Sequence, residues 1–248
     1  LDEFYRVRVA TVQRMLGVKS VRKDFYDKPK KLLEELQRQV VHQQQDFNKI
    51  FTDILRKLRL KNVFLINEQE LSAPQINFVK EYFQEHIRPA IVPIMLNQVK
   101  EFPSLKDKSI YFAIKLSSTQ NTTNKEYALL EIPTESLPRF VRLPAIGQRQ
   151  YLMLIDDIIR YNLLSIFSAF DYDKAEAYTI KVTRDAELDM DNDVSQSFID
   201  KLYKSVKNRQ KGAPVRLAYD QQIQPDILSF LLRKMKLKKT DNLIPGGR

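Results

Sequence analysis

The sequence predicts an α+β fold: a small all-helical bundle at the N-terminus, then a mixed α/β head domain with a largely antiparallel or mixed sheet. Residues 1–62 carry apolar positions at helical spacing. From residue 63 onward, short runs that alternate like strands are mixed with helical segments, without the regular alternation of a doubly wound sheet. We therefore expect two domains, a helical domain over residues 1–62 and a head domain over residues 63–248.

Two helices are predicted in the helical domain. The first has an apolar face made of Tyr5, Val9, Val12 and Leu16, and Gly17 is a stop signal. The second opens at Asp27-Lys28-Pro29, because Pro is favourable in a first turn. Its apolar stripe comprises Leu33, Leu36, Val40, Phe47, Ile50, Ile54 and Leu58. We expect the two apolar faces to be buried against each other and against a segment that precedes Leu1.

The head domain is predicted to contain short strands separated by helices. Strands are expected at Val63–Ile66, Tyr111–Leu116, Tyr127–Ile132, Arg139–Leu143, Tyr178–Thr183 and Val215–Tyr219. The second and third of these should form a hairpin with a long polar tip. Helices are expected from Ser72 to Phe83, from Asp156 as N-cap to Phe167, over Val194–Asn208 and over Pro225–Met235. Pro89 and Pro93 should interrupt the first of these helices.

The positive charge is concentrated near the N-terminus. The net charge is +10, and residues 1–62 hold 15 Lys/Arg against 8 Asp/Glu, while the remainder holds 26 against 23. The face of the long helix opposite its apolar stripe carries Lys30, Lys31, Arg38, Lys49, Lys57 and Lys61. A smaller cluster comprises Arg233, Lys234, Lys236, Lys238 and Lys239. Such patches attract polyanions, but a charge run usually means no more than a solvated helix face, and both interpretations stay open.

Several classes of site are excluded by composition. The chain has no Cys, so it has neither a disulfide framework nor thiolate metal ligands. Its five glycines do not form either common phosphate-binding motif. His42 and His86 lack the spacing of a zinc site, and neither lies near an elbow-like turn of a nucleophile. No apolar run approaches the ~20 residues that span a bilayer.

Three short clusters carry candidate chemistry. Thr183–Glu187 follows a predicted strand, where Arg184 can grip a phosphate or join an Arg–carboxylate network that ties a loop. Gly246-Gly247-Arg248 offers backbone N–H groups and a guanidinium to a phosphate, or forms an interdomain turn. Asp2 and Glu3 suit the first turn of a helix, where the helix dipole favours negative charge.

Taken in order, several blocks resemble the N-terminal half of bacterial polyphosphate kinases. The blocks are Leu1–Arg8, Phe64–Glu68, Tyr127–Pro133 with Pro138–Val141, Phe170–Asp173, Thr183–Glu187, Pro214–Arg216 and Ile244–Arg248. They extend over essentially the whole chain. Any single block is weak evidence for the resemblance. So many blocks in the same order make a chance match improbable.

The resemblance implies a transferase that moves the terminal phosphoryl group of ATP, with Mg²⁺, onto a growing polyphosphate chain through a phosphohistidine. In that family the helical domain helps cover the adenine end of the nucleotide site, and the head domain forms a homodimer. The nucleophilic His and the metal site belong to later domains of H-x-K chemistry. We therefore expect this chain to contain no catalytic and no metal-binding residue, to hold no cofactor tightly, and to be inactive alone.

The resemblance also selects residues. Asp2, Arg6 and Arg8 are expected near the ATP pocket, because an adenine-contacting Asn of the family lies just ahead of the block that starts at Leu1. The candidate phosphate-facing or interdomain residues are Arg184, Asp185, Arg216 and Arg248. The implied partners are ATP and polyphosphate through the full enzyme and a second copy of the chain, without nucleic acid and without a transmembrane segment. The cytoplasm is the expected compartment, with a peripheral position at the membrane left open.

Two alternatives come from other classes of protein. The first is a non-enzymatic basic module that binds polyanions or nucleic acid through the helical face. Its weakness is that Tyr and Phe fall mainly at core-like positions and that no nucleic-acid-binding motif is present. The second is a purely structural assembly domain. A dimer that forms without polyanion would favour assembly, and association only on nucleic acid would favour the first alternative.

Overall fold

The computed structural model describes residues 1–17, 23–120, 125–185, 214–237 and 242–246. The predicted helix Val194–Asn208 lies outside these residues, as do Lys238, Lys239, Gly247 and Arg248. The chain forms two compact units. The first unit comprises Leu1–Gln44, Glu101–Ser109 and Ile180–Gly247, and the second comprises Gln45–Lys100 and Ile110–Thr179. The predicted domain boundary at residue 62 stays a prediction.

Helical backbone begins almost at the first residue. It comprises α1 (Asp2–Phe4), a π-helical stretch Tyr5–Val9, and α2 (Ala10–Gly17). The predicted N-terminal helix is thus confirmed, but the widened π turn within it is not visible in the spacing of its apolar residues. Tyr5, Val9 and Ala10 are buried in the core of the first unit.

The long helix α3 (Lys23–Arg59) begins ahead of its predicted start at Asp27-Lys28-Pro29, so that Pro29 lies inside it. The predicted start was wrong because an interior Pro, which removes one backbone hydrogen bond and crowds the preceding turn, can kink a helix without ending it. The basic residues predicted for its outer face are all exposed: Lys30, Lys31, Arg38, Lys49, Lys57 and Lys61.

The apolar stripe of α3 is only partly buried. Val40 is buried, and Leu33 and Leu36 pack against the cluster that contains Tyr5. Further along the helix the side chains are exposed: Phe47 by 60%, Ile50 by 61%, Ile54 by 48% and Leu58 by 36%. Because the expected cover included a segment that precedes Leu1, burial of the stripe from Phe47 onward stays a prediction.

The strands of the second unit pair in both directions. They are β1 (Val63–Ile66), β2 (Ile94–Met95), β3 (Tyr111–Ser117), β4 (Lys125–Glu131), β5 (Phe140–Ile146) and β6 (Arg149–Leu154). β6 lies between β1, which is parallel to it, and β5, which is antiparallel. β4 pairs antiparallel with both β2 and β3, which confirms the predicted hairpin.

The helices of the second unit cover a large apolar core. They are α4 (Ala73–Tyr82), a π-helical stretch Phe83–Ile87, a 3₁₀ turn Arg88–Ala90, α5 (Ile155–Tyr161) and α6 (Leu163–Ile166). α4 starts at a capping box in which Ser72 N–H donates to Gln75 Oε1 at 3.1 Å. Asp156 was predicted to be the N-cap of α5, but the N-cap is Leu154, and Asp156 lies in the first turn of the helix. Arg139 Nη2 donates a 3.1 Å hydrogen bond to Asp156 Oδ2.

The strands of the first unit complete the fold. They are residues 180–184 of β7 (Lys174–Arg184), then β8 (Pro214–Asp220) and β9 (Leu243–Gly246). β8 is antiparallel to β7 and parallel to β9, and α7 (Pro225–Lys234) lies between β8 and β9 in the chain. Gly246 is the last residue of β9. Parallel and antiparallel pairs occur in both units, so the predicted α+β class with mixed pairing is confirmed.

Candidate functional site

The β7–β8 ladder brings two cations to one face of the first unit. Lys181 is paired with Ala218, and Thr183 with Arg216. Because side chains alternate along a strand, the side chains of Lys181 and Arg216 emerge on the same face, as diagonal neighbours. Arg216 is 8% exposed, so this face places a guanidinium inside the unit. Two neighbouring cations in such a place require an anion between them.

Asp2 supplies that anion from the first turn of α1. Lys181 Nζ donates to Asp2 Oδ2 at 2.6 Å, and Arg216 Nη1 donates to Asp2 Oδ1 at 3.1 Å. Partial burial acts to raise the pKa of Asp2, but the hydrogen bond and charge of Lys181, together with the charge of Arg216, hold that pKa below its ordinary value. Asp2 is therefore ionised at neutral pH and bridges two strands through its two oxygens.

Tyr5 lies beneath this ion pair. The Arg216 Cζ atom is 4.9 Å from the centroid of the Tyr5 ring, at a distance typical of a cation–π contact. The Tyr5 hydroxyl is buried and has no hydrogen-bond partner among the described residues. Burial raises the pKa of Tyr5, and the nearby Arg216 charge opposes that rise. The phenol therefore stays neutral and acts as an apolar support for the guanidinium.

Asp107 contacts both the N-terminal helical segment and the end of β7. Its Oδ2 lies 3.7 Å from Arg6 Nη2, and its Oδ1 accepts a 3.1 Å hydrogen bond from the backbone N–H of Arg184. Arg184 in turn donates through Nε to the carbonyl of Leu105 at 3.3 Å. The segment Glu101–Ser109 is thereby fastened to the end of β7.

A cleft of about 520 Å³ opens beside these residues. It is lined by Leu1, Asp2, Glu3, Arg6, Lys108 and Arg216. Arginine, lysine and carboxylate side chains share its wall, and no Ser, Thr, Tyr or His is among the lining residues. The cleft is equipped to bind a charged ligand through hydrogen bonds and charge.

The structure brings together three of the residues selected from the sequence: Asp2, Arg6 and Arg216. Arg8 is exposed and is not among the residues that line the cleft. Arg184 is held against Leu105, and Asp185 forms an ion pair with Arg14. The roles of these residues toward ATP or phosphate stay predictions, as does that of Arg248, which lies outside the described residues.

Sequence reasoning missed Lys108, Asp107, Lys181 and Tyr5. Lys181 was overlooked because it lies within the predicted strand Tyr178–Thr183. A charged residue inside such a strand indicates that one face of the strand is polar. Lys108 and Asp107 lie in a loop without a motif, and Lys108 has the left-handed backbone φ of 69°. Tyr5 was assigned to the core, which is correct, but its contact with Arg216 depends on the tertiary fold.

Metal and membrane sites are not indicated by the described parts of the chain. No group of three or more His, Asp or Glu side chains there is placed to hold a metal ion. Among the helices that the structure describes, none is both long enough and apolar enough to cross a lipid bilayer.

The fold is shared with a solved polyphosphate kinase. The crystal structure of polyphosphate kinase from Porphyromonas gingivalis is similar over 99% of this chain and 33% of that chain, with a TM-score of 0.75 and 27% sequence identity. Residues 1–66 match the family described as the polyphosphate kinase N-terminal domain, and residues 74–248 match the polyphosphate kinase middle domain. The chain belongs to the polyphosphate kinase family.

Curated relatives support the same assignment. The polyphosphate kinases of Vibrio parahaemolyticus and Escherichia coli K12 are each 35% identical to this chain over 252 residues. In both cases the match covers 100% of this chain and 36% of the relative. The chain therefore spans about a third of the length of the relatives it matches.

Proposed function

We propose that this chain is the N-terminal and dimerisation portion of a polyphosphate kinase, an enzyme that transfers the terminal phosphoryl group of ATP to a growing polyphosphate chain. The observation that carries the proposal is the cleft of the first unit. Asp2 and Arg6, which the resemblance locates beside the nucleotide, line this cleft together with Arg216. The reaction is inferred from the family to which the chain belongs. We assign the contact between this chain and a charged substrate to the cleft.

The chemical step belongs to other domains of the longer enzyme. The chain contains two histidines, and the residues that follow them are Gln43-Gln44 and Ile87-Arg88, so neither forms an H-x-K sequence. A phosphohistidine intermediate therefore requires a His outside this chain. Mg²⁺, when bound with ATP, neutralises charge on the phosphates, and this chain contributes positioning and electrostatic attraction. We place this activity in the cytoplasm, with a peripheral position at the membrane left open.

The division of labour is tested by comparing two proteins. ATP-dependent polyphosphate synthesis is measured for two proteins. One is the 248-residue chain, and the other is a longer polyphosphate kinase, as long as the relatives, that contains this sequence. We expect synthesis by the longer protein only. Polyphosphate made by the 248-residue chain would contradict the division, and absence of synthesis by both would contradict the kinase assignment.

Dimerisation through the head domain is tested by sedimentation. The 248-residue chain is expected to sediment as a dimer without any polyanion, at a position that does not change when nucleic acid is added. A monomer that associates only in the presence of nucleic acid would instead support the basic binding module.

A further inference from the structure

The three-stranded sheet of the second unit, in which β6 lies between β1 and β5, has two apolar faces. Residues that pair across a ladder point to the same face, and successive residues along a strand alternate between faces. The face that holds Ile66, Val141 and Met153 belongs to the apolar core of the unit. The opposite face, the outer face, comprises Val63, Leu65, Phe140, Arg142, Gln150, Leu152 and Leu154. All of its residues except Arg142 and Gln150 are apolar.

The apolar residues of the outer face lie outside the core of the second unit. Among the described residues of that core, none belongs to the outer face, and none of the apolar side chains that pack against the core does so either. Phe140 is 55% exposed, and Val63, Leu65, Leu152 and Leu154 are partly exposed. A sheet face in contact with water is normally polar, whereas apolar residues on both faces are typical of a sheet that is covered on both sides. The outer face therefore has the composition of a contact surface.

An exposed cation and an exposed carboxylate lie beyond opposite ends of β1. Lys61 precedes the strand, and Glu70 follows it. Glu70 Oε2 accepts a 3.0 Å hydrogen bond from the backbone N–H of Asn67, which holds the carboxylate near the end of the strand. A two-fold axis across the strands turns one copy end over end on another, so that Lys61 of each copy lies toward Glu70 of the other. The charges at the ends of the outer face are therefore complementary to those of an identical face.

The same rotation suits the residues between these ends. With the axis over Phe64, Val63 of one copy lies opposite Leu65 of the second, and the two sheets contribute side chains to one apolar layer. Arg142 is at the level of Leu65, because both residues pair with Leu152. The rotation moves the second Arg142 to the level of Val63. Apolar residues therefore meet across the axis, while the two guanidinium groups do not lie opposite each other.

We propose that the outer face is the surface through which two copies of this chain associate, with the β1 strands antiparallel across the two-fold axis. The inference deepens the proposed function and rests on it, because it assigns the proposed dimerisation to one face of one sheet. A three-stranded face is small beside the roughly 800 Å² per partner of a standard interface. The dimer of the 248-residue chain should therefore be reversible, with a dissociation constant in the micromolar range.

The test is sedimentation of the 248-residue chain over a range of protein concentrations. Phe140→Glu should raise the dimer dissociation constant by roughly tenfold or more, because it places an unpaired carboxylate in an apolar contact. The matched control is Phe47→Glu, since Phe47 is a comparably exposed Phe, at 60%, on α3. This control should dimerise as the unaltered chain does. Thermal unfolding of both variants separates loss of contact from loss of fold.

A charge exchange provides a readout that a folding defect cannot imitate. Lys61→Glu and Glu70→Lys should each weaken the dimer several-fold at low salt, since each places like charges opposite each other. The double variant restores the opposite signs and should regain most of the affinity of the unaltered chain. Additive weakening in the double variant would overturn the antiparallel arrangement of the two copies.

The outcomes distinguish this surface from dimerisation itself and from the kinase assignment. A folded Phe140→Glu variant that dimerises as the unaltered chain does overturns the surface and leaves the proposed dimerisation in place. Dissociation by Phe47→Glu in its stead assigns the contact to α3 and also overturns the surface. An unaltered chain that is monomeric at every concentration overturns both the surface and the dimerisation, and it favours another domain of the longer kinase as the cover. Polyphosphate synthesis by the longer kinase is judged separately from all three results.

Discussion

Arg216 Nη1 donates a 3.1 Å hydrogen bond to Asp2 Oδ1, although the two residues are 214 positions apart in the sequence. The same carboxylate accepts a hydrogen bond from Lys181, so the first turn of α1 is fixed to two strands of the first unit. This ion pair helps to position the cleft, because Asp2 and Arg216 both line it and Lys181 holds the Asp2 carboxylate in place. Its contribution to stability and to binding can be measured separately.

Replacing Asp2 should lower stability in a pH-dependent way. The pKa of Asp2 in the folded chain lies below its ordinary value of 3.8, so the ion pairs stabilise the fold above that pH and are lost as the pH falls through the folded-state pKa. Asp2→Asn should cost about 1 kcal/mol at pH 7, since the side chain is one-third exposed. Urea unfolding at pH 7 and pH 3 measures this, and an equal cost at both would contradict the charge argument.

A buried ion pair in the second unit should matter more than an exposed one. Arg160 Nη1 donates to Asp157 Oδ1 at 3.0 Å, and both side chains are nearly buried, with Arg160 over the ring of Phe112. Asp157→Asn removes the charge of a carboxylate that is hydrogen-bonded to this buried guanidinium and should cost about 3 kcal/mol. Chemical denaturation measures the change.

The matched control for that measurement is Asp53→Asn. Asp53 forms an exposed pair with Arg56 at the same sequence spacing, at 3.3 Å. Its replacement should change the free energy of unfolding by less than about 0.5 kcal/mol. Equal losses for the two variants would show that burial does not decide the strength of these pairs.

The two halves of the α3 stripe should respond differently to truncation. Val40 is 5% exposed and packs in the core of the first unit, whereas Phe47 is 60% exposed. Val40→Ala should cost about 2 kcal/mol, because it removes buried methyl groups. Phe47→Ala should change stability by less than about 0.5 kcal/mol. Thermal unfolding of the 248-residue chain provides the comparison, and a larger loss for Phe47→Ala would show that this face is covered in solution.

The basic face of α3 should assist substrate capture in the longer enzyme. Lys30, Lys31 and Lys57 are exposed, so their replacement by Glu leaves packing intact and changes only charge. We expect the apparent KM for ATP and polyphosphate to rise at low salt, and the difference to shrink at high salt. Steady-state kinetics at two ionic strengths measure the effect.

A second triple variant separates local charge from net charge. Lys80, Lys100 and Lys125 are also exposed but lie outside the basic face of α3. Their replacement by Glu alters the net charge equally and should leave the KM nearly unchanged. Equal effects of the two triple variants, or an unchanged KM for both at low salt, would refute a role for the α3 face.

Most strands could be predicted from the sequence because a half-buried strand shows its alternation locally. β5 is an example, since the buried Val141 and Leu143 alternate with the exposed Phe140 and Arg142. β2 and β9 were not predicted, since β2 is two residues long and β9 ends in Pro245-Gly246, which is typical of a turn. The start of α3 was placed too late because Pro29 is a start signal as well as a tolerated interior residue near a helix end.

The site could be predicted only in part. The resemblance selected Asp2, Arg6 and Arg216 separately, but nothing in the sequence pairs residue 2 with residue 216. That pairing depends on the register of β7 against β8 and on the packing of Tyr5 beneath Arg216. No sequence pattern could have identified Lys108, because its position in the cleft depends on the path of a loop.

The most direct test of the account is the KM for ATP of the longer kinase carrying Arg6→Gln, compared with Arg142→Gln. Arg6 lines the cleft, whereas Arg142 is an exposed residue of β5, outside the basic face of α3. We predict a KM several-fold higher for Arg6→Gln, with an unchanged melting temperature, and no change for Arg142→Gln. An unchanged KM for Arg6→Gln would show that the cleft of the first unit does not contact the substrate.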